Sequence, residues 1–194
     1  MRQLSAVCII LIAAVPLGDA AEPQESCIPT RGDYLGPYYI SGTVETEDLN
    51  RQGRPGEPLV VKGKILSASA DRRPLAGAKL EVWQTDGAGN YYPQGDGDVA
   101  DYEPDEIDLR GTVKTDIEGN YRYTTVVPGE YFPRPRHFHY RITAVDHRPL
   151  ITQLYITGDG FLHQPGDRCR HAPLTETPQG ILYAAPDIYL QPID

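Results

Sequence analysis

Two histidines separated by one residue, His137 and His139, are the side chains in this sequence best spaced to hold a metal ion. They begin the segment 137–145 (HFHYRITAV), whose β-branched and aromatic residues predict a strand. Alternate residues of a strand point to one face, so both imidazoles can bind one ion while Phe138 faces away. An H-x-H pair also suits two polar residues on a wet sheet face, so the spacing alone leaves both interpretations open.

The elements that must position these histidines are short strands. The 194 residues include 19 Gly and 18 Pro, a frequency of turn formers that argues against long helices. Thirteen Tyr against three Phe also favour a pleated, half-buried surface. Short segments separated by turn signals predict strands over 58–66, 78–83, 110–115, 121–127, 137–145 and 150–157, with a further possible strand over 181–184. Short strands at this spacing predict an all-β sandwich or barrel.

The net charge and the composition of one long loop limit the kinds of molecule that we expect this protein to bind. The formal net charge is −9, which disfavours nucleic acid because phosphate binding needs a basic face. Residues 86–108 form a long acidic stretch, and loops of that length in a compact domain are usually functional or disordered. The sequence leaves the oligomeric state open.

The N-terminus has the pattern of a secretory signal peptide. Arg2 precedes an apolar run over residues 4–17, and small residues at Gly18 and Ala20 suit cleavage before Ala21. The alternatives are a membrane anchor or a buried helix, but the run is too short to cross a bilayer comfortably. We therefore expect residues 1–20 to be removed, and a single domain over 21–194 to be secreted or periplasmic without further membrane association.

Three cysteines are present, and Cys8 would leave with the signal peptide. Cys27 and Cys169 then remain near the two ends of the mature domain. In an oxidising compartment an even pair predicts one disulfide, the alternative being two free thiols.

Several further motifs occur in order along the chain. They are Gly36-Pro-Tyr-Tyr39, Val82-Trp-Gln84 followed by Tyr91, residues 109–121 (LRGTVKTDIEGNY), residues 128–139 (PGEYFPRPRHFH) and residues 150–159 (LITQLYITGD). Together they resemble the intradiol ring-cleavage dioxygenases, the family of catechol 1,2- and protocatechuate 3,4-dioxygenases, over about residues 34–160. Several motifs in order are far more specific than any one. The resemblance implies an antiparallel β-sandwich with long loops.

The resemblance also implies a non-haem Fe(III) site with four ligands: Tyr91, Tyr131, His137 and His139. Fe(III) is a hard ion that prefers anionic oxygen donors, and imidazole also suits iron. A trivalent ion makes a phenolate accessible at neutral pH although free tyrosine has a pKa near 10. Tyr92 competes with Tyr91, and the family spacing together with strand alternation selects Tyr91.

The remaining roles implied by the resemblance concern the substrate. Both atoms of O2 would enter a catechol-type ring to give a cis,cis-muconate-type diacid. Tyr131 would take a substrate proton, Arg134 would stabilise negative charge on the ring, and Gln153 would lie near the iron. Tyr34 and Pro37 would line the aromatic pocket.

Two other interpretations remain open at this stage. One is a secreted, non-enzymatic β-sandwich binding module, since this architecture does not by itself imply activity. The other is a copper or zinc protein that uses the H-x-H pair, although two supporting tyrosines favour iron.

Overall fold

Two β-sheets enclose the hydrophobic core. The computed structural model describes residues 27–130, 132–160 and 168–193. The strands in chain order are β1 (Ile40–Ser41), β2 (Pro58–Ser67), β3 (Lys79–Trp83), β4 (Gly97–Asp98), β5 (Arg110–Lys114), β6 (Asn120–Val126), β7 (His137–Thr143), β8 (Leu150–Ile156), β9 (His171–Ala172), β10 (Leu174–Thr177), β11 (Gly180–Ala184) and β12 (Ile188–Leu190). Two single-turn 3-10 helices, Val99–Asp101 and Arg168–Arg170, complete the described secondary structure.

The strands divide between two large sheets and one small one. The first sheet has the order β5-β3-β7-β8-β9. In the second, β2 is central, with β6 on one side and β11 and β12 on the other, and β10 pairs with β11. Strands β1 and β4 form a separate parallel pair.

Alternation within the strands explains why the two large sheets pack together. The inward residues of β7, Phe138, Tyr140 and Ile142, are fully buried in the core cluster. They meet the opposite sheet directly: the Phe138 ring lies 5.0 Å from that of Tyr183, and the hydroxyls of Tyr140 and Tyr123 are 2.6 Å apart. His137 and His139 lie between these positions, so they project from the outer face of the first sheet.

The sandwich architecture predicted from the sequence is confirmed, and all seven predicted strands are present within a few residues of their expected limits. The central pairs β3–β5, β3–β7, β7–β8 and β2–β6 are antiparallel. The C-terminal strands differ, because β11 and β12 both pair with β2 in parallel. Strands β3 to β10 lie between β2 and β11 in the chain, and this length of chain allows β11 and β12 to run in the same direction as β2.

The predicted disulfide is confirmed between Cys27 and Cys169, whose Cα atoms are 5.2 Å apart. It attaches the start of an extended stretch, residues 28–39, which we call the covering segment. This segment lies against the first sheet: the Asp33 amide donates to the Ile151 carbonyl at 2.9 Å, and the Thr152 hydroxyl donates to the Arg31 carbonyl at 3.0 Å.

The predicted signal peptide, with Cys8, lies outside the described residues. Among the residues that the structure describes, no helix is long and apolar enough to cross a membrane.

Candidate metal and active site

The candidate site is built on the outer face of the first sheet, at the end where β7 begins. Strand pairing places Trp83 of β3, His139 of β7 and Gln153 of β8 in one row across the sheet. His137 lies opposite Tyr155 in the next row on the same face. The period-2 alternation of three neighbouring strands therefore collects these side chains into one patch.

Three donor atoms converge on this patch. Tyr91 Oη lies 2.8 Å from His139 Nε2, and His137 Nε2 lies 3.0 Å from the same nitrogen. All three residues are buried, with 1–4% of their surfaces exposed. The two histidines share a rigid strand, while the tyrosine arrives from the loop that follows β3.

The ring of each histidine is held by its surroundings. His137 Nδ1 lies 2.6 Å from the Pro135 carbonyl, which fixes Nδ1 as the donor and places the lone pair of the neutral ring on Nε2. The His139 ring stacks on Trp83, with centroids 4.7 Å apart and planes 7° apart. On its other side the backbone at Gly36 approaches so closely that a Cβ there would lie 2.5 Å from His139 Cε1.

Among the described residues, His139 Nδ1 has no hydrogen-bond partner of normal geometry, although the backbone of Leu35 interacts favourably with the charged ring. The ring is therefore oriented chiefly by packing between Trp83 and Gly36.

Both imidazoles are neutral at neutral pH. Burial lowers the pKa of His137 to about 4, and the nearby Arg134 guanidinium lowers it further against the opposing effect of the Pro135 carbonyl. Burial also lowers the pKa of His139 well below its ordinary value, with His137 and Arg134 acting in the same direction. Neutral imidazole is the form that binds a metal ion.

The hydroxyls of Tyr91 and Tyr92 have different partners. The Tyr92 hydroxyl donates to Asp86 Oδ2 at 2.7 Å, away from the histidines, and the Arg54 guanidinium lies 4.0 Å above its ring. Strand alternation, which we expected to separate the two tyrosines, is not the cause, because both lie in a loop. Of the two, only Tyr92 makes an isolated β-bridge, which pairs it with Asp108. Hydrogen bonds within this loop thus leave Tyr91 for the site.

Tyr131, the fourth predicted ligand, lies outside the described residues. The segment before it is held close to the loop that carries Tyr91. The Gly129 amide donates to the Asp86 carbonyl at 2.7 Å, and a Cβ at Gly129 would lie 2.5 Å from the Gly89 amide nitrogen. Glycine is required at this close approach of two backbones.

Arg134 and Gln153, predicted as catalytic residues, contact one another beside the histidines. Arg134 Nη2 donates to Gln153 Oε1 at 2.5 Å, and Gln153 Nε2 donates to the Tyr34 carbonyl at 2.9 Å. Gln153 is buried, while Arg134 is half-buried. Within the described residues no carboxylate forms an ion pair with Arg134, so its positive charge is available near the donor atoms.

The two residues predicted to line the pocket contact the site through their backbones. The Tyr34 carbonyl accepts from Gln153, and the Pro37 carbonyl accepts from Trp83 Nε1 at 3.3 Å. The Tyr34 side chain is 79% exposed and Pro37 is also exposed. The covering segment thus lies over the row formed by Trp83, His139 and Gln153.

The three donors suit a metal ion. Within the described parts of the chain no three His, Cys, Asp or Glu side chains group into a metal site, so the third donor here is a phenol oxygen. Two ligands bound at right angles about 2.1 Å from one ion would lie about 3.0 Å apart. The separations of 2.8 Å and 3.0 Å agree with that value. A phenolate oxygen with two imidazole nitrogens favours iron.

Comparison with known proteins identifies the family of this chain. The family model described as "Dioxygenase" matches residues 34–174, most of the described chain. The chain belongs to the intradiol ring-cleavage dioxygenase family. It is 31% identical over 148 residues to catechol 1,2-dioxygenase 2 of Acinetobacter lwoffii, an alignment that covers 66% of this chain and 51% of that relative. It is 35% identical over 127 residues to the protocatechuate 3,4-dioxygenase beta chain of Burkholderia cepacia, which covers 60% of this chain and 52% of that relative.

A solved structure of similar extent shares the fold of this dioxygenase family member. It is the dioxygenase domain of a dioxygenase carbohydrate-binding protein fusion from Streptomyces sp. SirexAA-E, with a TM-score of 0.70 and 28% identity. The match covers 84% of this chain and 98% of that domain. By contrast, this dioxygenase chain spans about half the length of the two relatives named above.

One contact of the candidate site was not predicted from the sequence. The Arg110 guanidinium is 1% exposed and donates to three carbonyls: Tyr92 at 2.7 Å, Tyr38 at 2.5 Å and Pro93 at 3.1 Å. Burial lowers the pKa of Arg110 to about 10, and Tyr91 lies near enough to oppose that shift. The Arg-Gly pair at 110–111 was a visible motif, but its carbonyl partners lie in distant segments. Arg110 joins the loop that carries Tyr91 to the covering segment.

Proposed function

We propose that this protein is a non-haem Fe(III)-dependent intradiol dioxygenase. It opens a catechol-type ring between the two hydroxyl-bearing carbons, and both atoms of O2 enter the product, a cis,cis-muconate-type diacid. The observation that carries this proposal is the convergence of Tyr91 Oη, His137 Nε2 and His139 Nε2. Membership in the dioxygenase family supports it.

We assign four residues to the metal: Tyr91, Tyr131, His137 and His139. Two phenolates and two neutral imidazoles would give a ferric ion anionic oxygen donors and reduce its net charge. A ferric ion held in this way would supply the Lewis-acid chemistry that binds both oxygens of a catechol and activates the ring toward O2. His137 is oriented for this role by the Pro135 carbonyl, and His139 by Trp83.

The remaining chemistry is assigned to residues that contact the substrate. By the family resemblance, Tyr131 Oη takes a proton from a substrate hydroxyl. The Arg134 guanidinium stabilises negative charge that develops on the ring, because it is cationic, half-buried and free of a paired carboxylate among the described residues. Gln153 holds Arg134 through Oε1, and the covering segment limits access of water to the buried donors.

The first test is the colour and metal content of the purified protein. Phenolate bound to Fe(III) absorbs visible light, so the iron-loaded protein should be red to brown, and catechol added without O2 should shift that absorption. Oxygen uptake with a panel of catechols, and identification of the products, then test ring cleavage and the position of the cut. A colourless, iron-free protein after reconstitution with iron contradicts the proposal. Retention of zinc or copper instead would favour the other metal proteins, and no metal binding would favour a binding module.

We also propose that the enzyme acts outside the cytoplasm, on external phenolic compounds. The pattern of residues 1–20 supports export, and a disulfide between Cys27 and Cys169 is typical of an oxidising compartment. N-terminal sequencing of protein recovered from the medium or periplasm should begin at Ala21. Recovery of the active protein only from the cytoplasm, with residues 1–20 attached, would contradict this proposal.

A further inference from the structure

A buried ion pair lies beside the site, between two segments that are distant in sequence. Asp33 Oδ2 accepts from Arg170 Nη1 at 2.5 Å, and the two side chains are 12% and 8% exposed. Cys169 precedes Arg170, and its disulfide to Cys27 ties the segment that supplies Arg170 to the one that supplies Asp33. The pair is thus held on both sides, and the positive charge of Arg170 helps to lower the pKa of Asp33, against the opposing effect of its burial.

The same carboxylate oxygen accepts a third group. The Tyr155 hydroxyl donates to Asp33 Oδ2 at 2.7 Å, while Gln153 Oε1 lies 3.2 Å from that hydroxyl. A tyrosine hydroxyl has a single hydrogen, so the nearer and negatively charged acceptor takes the larger share of it. Burial and the hydrogen bond to Asp33 raise the pKa of Tyr155, which keeps the hydrogen in place.

The direction of the Tyr155 hydroxyl hydrogen determines whether Gln153 Oε1 accepts from Arg134 alone. Gln153 Oε1 accepts from Arg134 Nη2, and Gln153 Nε2 is already engaged by the Tyr34 carbonyl. When Tyr155 donates to Asp33, Gln153 Oε1 is left to Arg134. If Asp33 could not accept, the Tyr155 hydrogen would turn to Gln153 Oε1 and compete with Arg134 for it.

We propose that Asp33 is a positioning residue of this site: it holds the Tyr155 hydroxyl away from Gln153 and so keeps Gln153 Oε1 as the anchor of Arg134. The positioning role runs through Tyr155 and Gln153. The negative charge of Asp33 also acts directly on His137, and that effect would not be reversed by removing the Tyr155 hydroxyl. The proposal rests on the function proposed above insofar as Arg134 contacts the substrate. Asp33 belongs to the covering segment, whereas Tyr155 and Gln153 belong to the sheet.

The test compares Asp33→Ala with Tyr155→Phe and with the double variant. Loss of Asp33 should lower kcat about tenfold, with a smaller change in KM. A loss of this size is at the lower end of the range found when a residue that orients a functional group is mutated. It should also weaken binding of catechol in anaerobic titrations followed by the visible absorption. Tyr155→Phe removes the competing hydroxyl, so by itself it should have a small effect, and in the double variant it should restore most of the lost kcat.

A matched control comes from the same face of the sheet. Glu81 is a buried carboxylate that accepts from the Tyr39 hydroxyl at 3.0 Å and pairs with Arg141. Glu81→Ala therefore removes a similar set of contacts without reaching Gln153, and we expect kcat to stay within about twofold of wild type. Equal losses in Asp33→Ala and Glu81→Ala would attribute the effect to general loosening of the protein. Failure of Tyr155→Phe to restore kcat, or wild-type kcat in Asp33→Ala, would overturn the proposal.

Crystal structures of the metal-free wild-type and Asp33→Ala proteins separate this proposal from the proposed function. The distance from Arg134 Nη2 to Gln153 Oε1 should be retained in the wild type and lost in the variant, whatever reaction the protein catalyses. An unchanged contact in the variant would overturn the positioning role. A wild-type protein that neither binds iron nor cleaves catechols would overturn the proposed function and leave this structural result to be judged by itself.

Discussion

Tyr91 Oη and His139 Nε2 lie 2.8 Å apart although 48 residues separate them in the chain. The first comes from a loop held by Asp86 and Arg110, and the second from a strand buried on its other face by the core. A phenol and an imidazole at this distance form a hydrogen bond in the metal-free protein and can become adjacent ligands of one ion. The two neighbouring tyrosines provide a direct test of that relationship.

Tyr91→Phe should abolish the visible absorption of the iron-loaded protein or shift it strongly, and should weaken iron retention by at least about tenfold. The aromatic ring is kept, so packing against Tyr38, 4.9 Å away between centroids, is preserved. Tyr92→Phe is the matched control, since it removes the hydroxyl bonded to Asp86 and should leave the absorption unchanged. Iron analysis and visible spectra measure both. The same spectrum in Tyr91→Phe as in wild type would contradict the ligand assignment.

The metal-free protein should lose stability as the pH falls from about 7 towards 4. The pKa of His137 is about 4 in the folded protein and near 6.5 in the unfolded chain, so the unfolded chain binds more protons in this window. The contribution is fully present above pH 6.5 and declines as the pH falls, by about 3 kcal/mol in total for this residue. His139 acts in the same direction.

Urea titrations at several pH values measure this dependence. His137→Gln should flatten the slope between about pH 6.5 and pH 4.5, where carboxylates with lowered pKa values contribute little. An equally steep decline in the variant would show that other groups are responsible.

Arg110→Met should destabilise the protein by about 3 kcal/mol, because it removes a buried guanidinium and leaves three partly buried carbonyls without their donor. It should also lower iron retention, since Arg110 joins the loop of Tyr91 to the covering segment. Arg122→Met is a suitable control, since Arg122 is exposed on β6. Urea titration and iron analysis give the two readouts. Stability equal to that of Arg122→Met would mean that the three hydrogen bonds contribute nothing measurable.

Replacing both Cys27 and Cys169 by serine should destabilise the protein by about 5 kcal/mol, since the bond closes a loop with a sequence separation of 142 residues. Hydrogen exchange should rise first in the covering segment, where the Asp33 amide is bonded to Ile151. Reduction of the wild-type protein should reproduce the result. Equal exchange in the oxidised and serine proteins would show that the segment is held by its hydrogen bonds alone.

The sequence predicted those parts of the fold and site that depend on local patterns. The strand of His137 and His139 was evident from period-2 alternation, and their shared face followed from it. Tyr91 was separated from Tyr92 by the motif, although the structural cause is the hydrogen bond from Tyr92 to Asp86 in an irregular loop. Local patterns therefore sufficed to predict the strand and the shared face of its two histidines.

Other parts depend on contacts between segments remote in sequence. The pairing of Asp33 with Arg170 spans 137 residues, and neither residue belongs to a recognisable motif. Arg110 lies within a motif, but it donates to backbone carbonyls. Every residue has such a carbonyl, so the sequence cannot show which ones Arg110 contacts. The parallel pairing of β12 with β2 likewise follows from the path of the whole chain, because three-residue strands carry too little pattern to specify a partner.

One face of β7 packs in the core and the other carries the two histidines of the candidate site, and this separation has an evolutionary consequence. Phe138, Tyr140 and Ile142 hold the sandwich together, while His137 and His139 face the covering segment across a single strand. Substitutions in that segment alter the surroundings of the donors without opening a cavity in the core. A lineage with this arrangement can vary the surroundings of the site while the folding of the domain stays the same.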